Sequence, residues 1–209
     1  MEKQKYAAIV LAAGSGKRMN SQVHKQYLII QDRPVLYYSL KAFEDSAVDE
    51  IVLVVGKGEE EFCRREIVDK YGISKVKAIV EGGKERYHSV FEGLKQTSDA
   101  DYVLIHDGAR PFVNQDIIRR CMQEVQKYQA CVVGMPVKDT IKIADEEGYA
   151  KQTPDRKNVW MIQTPQTFSY ALIYEAYEEM LKTEDAAITD DAMVLERTKG
   201  KKSKLIEGS

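Results

Sequence analysis

Residues 9–27 read "IVLAAGSGKRMNSQVHKQY", an apolar run that opens into small residues, two glycines and three cations, Lys17, Arg18 and Lys25. Bare backbone N–H groups at such a strand exit can approach an anion closely. Two common phosphate loops do not fit. The P-loop pattern requires glycine where Leu11 stands and Ser or Thr where Arg18 stands, and the dinucleotide fingerprint requires a third glycine at Met19. What remains is a polyphosphate site with its own cations. Phosphoryl and nucleotidyl transfers concentrate negative charge on non-bridging phosphate oxygens, and Arg18 and Lys25 are the pair to neutralise it, one as a two-pronged grip and one as a movable charge.

Three further stretches carry chemistry. In "YVLIHDGARP", Asp107 places a carboxylate at a strand tip, where beside phosphates it would recruit Mg²⁺, and Arg110 either binds a substrate anion or holds Asp107. His106 reads as a hydrogen-bonded core residue. In "EGGKERYHSV", Gly82 and Gly83 either lie against a flat base whose edge meets Ser89 and backbone atoms, or form a strand-to-helix turn that needs positive φ. "KDTIK" and "PDRKNVWMIQTPQTF" gather Lys138, Thr140, Lys142, Arg156, Lys157 and Thr164 into a mildly basic flap, in which Trp160 and the apolar positions after it pack.

These stretches need elements to hold them. Apolar runs suited to buried parallel strands recur at 6–11, 50–55, 76–80, 101–106 and 130–137, with helical patterns at 34–45, 59–71, 86–97 and 115–129 between them. Pro34 near the start of the first helix and Asn114 as cap of the fourth mark beginnings. The alternation predicts one doubly wound α/β domain over residues 1–209, its mostly parallel sheet flanked by helices. An excursion at about 138–160 reads as a hairpin around Gly148, followed by a helix at 170–182, a short helix capped near Thr189 and a last strand at 204–206. Ligands in such a sheet sit beyond the carboxyl ends of its strands, which is where the motifs fall.

Composition bounds the function. The 209 residues hold 31 Lys plus Arg against 33 Asp plus Glu, so a formal charge of -2 argues against a general binder of nucleic acid or membrane surface. No apolar run reaches the roughly eighteen residues of a membrane span, and the N-terminus lacks a signal-peptide pattern, which predicts a soluble cytoplasmic protein. Cys63, Cys121 and Cys131 are odd in number and widely spaced, and are expected as reduced, buried thiols.

"LAAGSGKRM", "KQYL", "GGKERYHSV", "HDGARPF", "PVKDTIK", "DRKNVWMIQTPQTF" and "ITDDA", in this order across nearly the whole chain, resemble the 2-C-methyl-D-erythritol 4-phosphate cytidylyltransferases. The resemblance implies a Rossmann-like nucleotidyltransferase that joins CTP and methylerythritol phosphate in non-mevalonate isoprenoid synthesis. It implies Mg²⁺, with Mn²⁺ as a substitute, and a homodimer whose arms cross between subunits. Arg18 and Lys25 would then stabilise the transition state, Ala12, Ala13, Gly14, Gly83, Lys84 and Ser89 would line the cytidine pocket, and Arg86 would support its loop. Asp107 would bind the metal, and Arg110, Thr140, Arg156, Thr164 and Thr189 the methylerythritol phosphate. Two departures stand out. His24 occupies a position where the family has proline, which predicts a looser loop around Lys25. The family also continues past "LIEGS" with an Asn-x-Lys-x-Thr segment and a helix, so the resemblance implies either a shortened chain or one without that lysine. A ribitol 5-phosphate cytidylyltransferase and a CTP-binding module without turnover are the competing expectations.

Overall fold

The computed structural model describes residues 3–14, 24–183 and 187–209. Lys17 and Arg18 lie outside the described residues. The chain runs as β1 (Tyr6–Ala12), a 3-10 turn (Lys25–Tyr27), β2 (Ile29–Ile30), β3 (Arg33–Pro34), α1 (Val35–Glu44), β4 (Glu50–Val55) and α2 (Glu60–Cys63), which continues as a π-helical segment (Arg64–Asp69). There follow β5 (Val76–Glu81), α3 (Arg86–Lys95), β6 (Tyr102–Asp107), α4 (Gln115–Tyr128), β7 (Ala130–Pro136), the pair β8 (Ile143–Ala144) and β9 (Ala150–Gln152), and a 3-10 turn (Arg156–Asn158). The chain closes with β10 (Trp160–Ser169), α5 (Tyr170–Thr183), α6 (Asp191–Lys199) and β11 (Lys204–Glu207).

Seven strands form the central sheet in the order β11-β7-β10-β6-β1-β4-β5. The expected strands pair in parallel, β1 with β4 and β6, β4 with β5, and β11 with β7. One strand of this sheet was not anticipated. Residues 160–169, expected as part of a flap in which Trp160 and the apolar positions after it pack, form β10, which runs antiparallel between β6 and β7, and its pairing with β7 is interrupted between Ile162 and Gln166. Polar Gln163, Thr164, Gln166 and Thr167 break the continuous apolar pattern of a buried parallel strand, although Gln166 and Thr167 are themselves buried.

Strand alternation divides the core into two layers. Tyr6, Ala8 and Val10 of β1 face the layer that holds Leu36 and Phe43 of α1 and Ile118 of α4. Ala7, Ile9 and Leu11 face the other, with Val90 and Leu94 of α3, Tyr177 of α5 and Leu195 of α6. The same parity sorts the end of β6. His106 follows Tyr102 and Leu104 toward α1, where its ring meets Phe43 edge-on at 5.3 Å. Asp107 follows Val103 and Ile105 toward α3 and α6.

The expected N-cap holds, with Asn114 accepting from the Ile117 N–H at 3.0 Å. At α6, expected to be capped near Thr189, the cap is the neighbouring Asp190, whose carboxylate accepts from the Met193 N–H at 2.9 Å. A carboxylate at a helix N-terminus also favours the macrodipole. All three cysteines are buried and free. Among the described residues no helix is long and apolar enough to cross a membrane.

Candidate active site

The carboxyl ends of β1 and β6 lie side by side, with Leu11 paired to Asp107 and the Gly108 N–H donating to the Leu11 carbonyl at 2.8 Å. Gly108 is required here because a Cβ would meet the Leu36 side chain at 2.7 Å and that carbonyl at 2.9 Å. Ala12, the last residue of β1, is buried, while Gly14 beyond it is exposed. The exposed Lys25 is brought back to this edge by its neighbour. Gln26, 2% exposed, donates its side-chain amide to the Ala12 carbonyl at 2.6 Å and to the Gly14 carbonyl at 3.4 Å.

His24 has a φ of -61°, one that proline would adopt, and its Nδ1 lies 3.1 Å from Glu59 Oε1. Glu59 in turn accepts from the Tyr27 hydroxyl at 2.7 Å and the Gly56 N–H at 3.1 Å.

Asp107 sits between two guanidinium groups, with Arg86 Nε 3.3 Å from Oδ1 and Arg110 Nε 3.2 Å from Oδ2. Burial alone would raise its carboxyl, but the surrounding positive charge, Arg86 first, holds it below the usual carboxylate range. Arg86 also makes a two-pronged contact with Asp191. Of the two expected roles for Arg110, it is the hold on Asp107 that this arrangement displays.

Behind this cluster lies a hydrogen-bond circuit centred on His106. Its Nε2 meets the Arg110 carbonyl at 3.1 Å, so that nitrogen carries the proton and Nδ1 accepts from the Thr164 hydroxyl at 2.9 Å. Thr164 Oγ1 accepts in turn from the Asp107 N–H at 3.2 Å. The buried Ser39 hydroxyl lies 3.0 Å from the Gly108 carbonyl and 3.2 Å from that of Arg110. Thr164, expected at a substrate phosphate, thus turns its hydroxyl inward and steadies the strand tip.

At the end of β5, neither Gly82 nor Gly83 has positive φ. They are glycines because of close approach. A Cβ on Gly82 would lie 2.5 Å from both Ala13 Cβ and Ser89 Oγ, and one on Gly83 would lie 2.3 Å from His88 Cβ. The Ser89 hydroxyl, which is buried, accepts from the Gly83 N–H at 3.1 Å and donates to the Glu85 carbonyl at 3.3 Å, so it shapes the loop. Glu85 caps α3 in a reciprocal arrangement with His88. A cleft of about 720 Å³ opens beside this loop, lined by Gly83, Lys84, Arg86, Tyr87 and Leu181 among others.

The remaining expected residues lie outward. Thr140 and Arg156 are exposed on the excursion, where Arg156 Nη1 donates to the Lys138 carbonyl at 3.2 Å. Thr189 is exposed before α6. Gln26, Ser39, Gln166 and Asp191 were not singled out from the sequence, although "KQYL", "DRKNVWMIQTPQTF" and "ITDDA" contain all but Ser39. Gln166 accepts from the Ala192 N–H at 2.9 Å and donates to Asp190 at 3.2 Å, joining β10 to the start of α6.

As a cation site, Asp107 offers one hard oxygen group. Among the described residues no three His, Cys, Asp or Glu side chains converge. That donor set suits a cation that takes a single carboxylate and completes its shell with phosphate oxygens and water, as Mg²⁺ does.

A model of the 2-C-methyl-D-erythritol 4-phosphate cytidylyltransferase family matches residues 6–209. The protein of that description from Lachnoclostridium phytofermentans is 52% identical over 193 residues, which cover 92% of this chain and 83% of that protein. The one from Lachnospira eligens is 54% identical over 201 residues, covering 95% and 88%. The crystal structure of the Anaerococcus prevotii 4-diphosphocytidyl-2C-methyl-D-erythritol synthase superposes with a TM-score of 0.86 at 35% identity, covering 99% of this chain and 88% of that one. With that fold and these matches over nearly its whole length, the chain belongs to the 2-C-methyl-D-erythritol 4-phosphate cytidylyltransferase family.

Proposed function

We propose that the cluster at the carboxyl edge of the sheet is where this chain transfers a cytidylyl group from CTP to 2-C-methyl-D-erythritol 4-phosphate, giving CDP-methylerythritol and pyrophosphate. The observation that carries this reading is Asp107, half-buried between Arg86 and Arg110 at the strand end beside the Lys25 turn. An ionised phosphate oxygen of the second substrate attacks the α-phosphorus, the bond to the bridging oxygen breaks, and pyrophosphate leaves. The nucleophile needs no protein base. Catalysis is positioning and charge neutralisation, for which Lys25 and, outside the described residues, Arg18 are the cations.

The nucleotide lies along Ala12, Ala13 and Gly14, with its base against Gly83 and the Lys84 backbone, in the loop that Ser89 and Arg86 hold. Asp107 would hold Mg²⁺, or Mn²⁺ in its place, and that ion would neutralise charge on the phosphate oxygens. Arg110, Thr140, Arg156 and Thr189 serve the methylerythritol phosphate, and Thr164 serves it through the strand tip it steadies. The arm makes the protein a homodimer. Ile143, Tyr149 and Met161 are exposed apolar side chains that a second subunit would cover. Three free buried thiols agree with a reducing cytoplasm.

Pyrophosphate release is the test. It should require CTP together with methylerythritol phosphate, and ribitol 5-phosphate should not substitute. Equal turnover of both polyol phosphates would remove the substrate assignment, and no release with either would leave a nucleotide-binding module.

A further inference from the structure

The two arginines on Asp107 are not equivalent. Arg86 Nη1 and Nη2 donate to the two oxygens of Asp191 at 3.0 and 2.9 Å, leaving Nε to reach Asp107. Asp191 has no exposed surface, and its Oδ1 also accepts from the buried Tyr177 hydroxyl at 2.5 Å. Breaking such a pair strands a buried charge, which is strongly unfavourable. Arg110 touches Asp107 through Nε alone, and its side chain is 48% exposed. An exposed one-point pair is readily exchanged.

We propose that Asp191, steadied by Tyr177, is a positioning residue that fixes Arg86 on Oδ1 of Asp107, so that Oδ2 is the oxygen offered to a divalent cation and Arg110 is the group that yields it. This rests on the reading of Asp107 as the cation's ligand. A guanidinium and a dication cannot share one carboxylate oxygen without close like-charge repulsion, so one arginine must leave. The anchored one stays. Arg110 then has its donors free for a phosphate group. Without Asp191, Arg86 can turn both Nη groups onto Asp107 and close the position.

Loss of Asp191 and loss of Arg110 move metal affinity in opposite directions. Binding of α,β-methylene-CTP is measured with Mn²⁺ and with chelator in place of Mn²⁺, and the ratio of the two affinities isolates the metal's contribution. A role limited to holding α3 would change both affinities alike and leave the ratio alone. Asp191→Asn should lower the ratio by roughly tenfold or more, the scale for partners that orient a ligand. Tyr177→Phe should lower it less, and Arg110→Ala should raise it by about threefold, as removal of an exposed competing charge does. An unchanged ratio in folded Asp191→Asn, or a fall in Arg110→Ala, overturns the proposal. If Asp191→Asn does not fold, Tyr177→Phe takes its place, and an unchanged ratio there overturns it. A wild-type protein whose nucleotide affinity ignores Mn²⁺ rejects the cation reading of Asp107 itself, and this inference with it.

Discussion

The side-chain amide of Gln26 donates to the Ala12 carbonyl at 2.6 Å, which ties the turn bearing Lys25 to the exit of β1. Lys25→Ala should therefore cut turnover by roughly 10²-fold with little change in the Michaelis constant for CTP, because its charge matters most at the five-coordinate phosphorus. Arg18→Ala should behave alike. Gln26→Ala keeps the cation but loosens its support and unpairs a carbonyl. It should lower turnover by about tenfold and stability by about 1–3 kcal/mol. Steady-state kinetics with denaturant titration separates the two, and an effect on CTP affinity alone would reassign Lys25 to ground-state binding.

Asp107→Asn removes the charge that holds a hard cation while keeping the side chain's shape. The Mg²⁺ concentration for half-maximal rate should rise by about tenfold or more. Full activity of the unaltered protein in excess chelator would rule out the metal role.

His106 supplies a pH dependence of stability. Burial lowers its pKa from an ordinary 6.5 to about 4, so the unfolded chain takes up a proton before the folded one does. Its contribution is complete above the unfolded value and is lost as pH falls from 6.5 toward 4, an interval worth about 3 kcal/mol. Denaturant unfolding at pH 7, 5.5 and 4.5 should show this slope in the wild type and a flatter one in His106→Gln. Parallel profiles would mean that other groups dominate acid sensitivity.

If the arm crosses to a second subunit, Arg156 and Lys25 serve one site from different chains. Arg156→Ala and Lys25→Ala homodimers should each be nearly inactive. Their equal mixture, with about half the dimers mixed and one intact site in each, should recover roughly one quarter of wild-type activity. Parental activity after verified subunit exchange would place Arg156 with its own chain.

What rests on local physics is legible in the chain's residue order. Apolar runs such as 6–11 and 101–106 must be buried on both faces, and the glycines and charged groups that follow must sit at strand exits, which located Gly14, Gly83, Asp107 and Arg110. Which polar residues turn inward depends on contacts made across the fold. Gln26, Gln166 and Asp191 have the composition of surface residues, yet each is buried because its partners arrive from elsewhere, Arg86 from 105 positions away from Asp191. The same reason hid β10, whose Thr164–Thr167 stretch is polar in sequence and is buried only because β6 and β7 close on it from both sides. Periodicity reports a segment's own apolar face, whereas a buried hydrogen bond is made by two segments, and a strand wedged between neighbours exists only after those neighbours are in place.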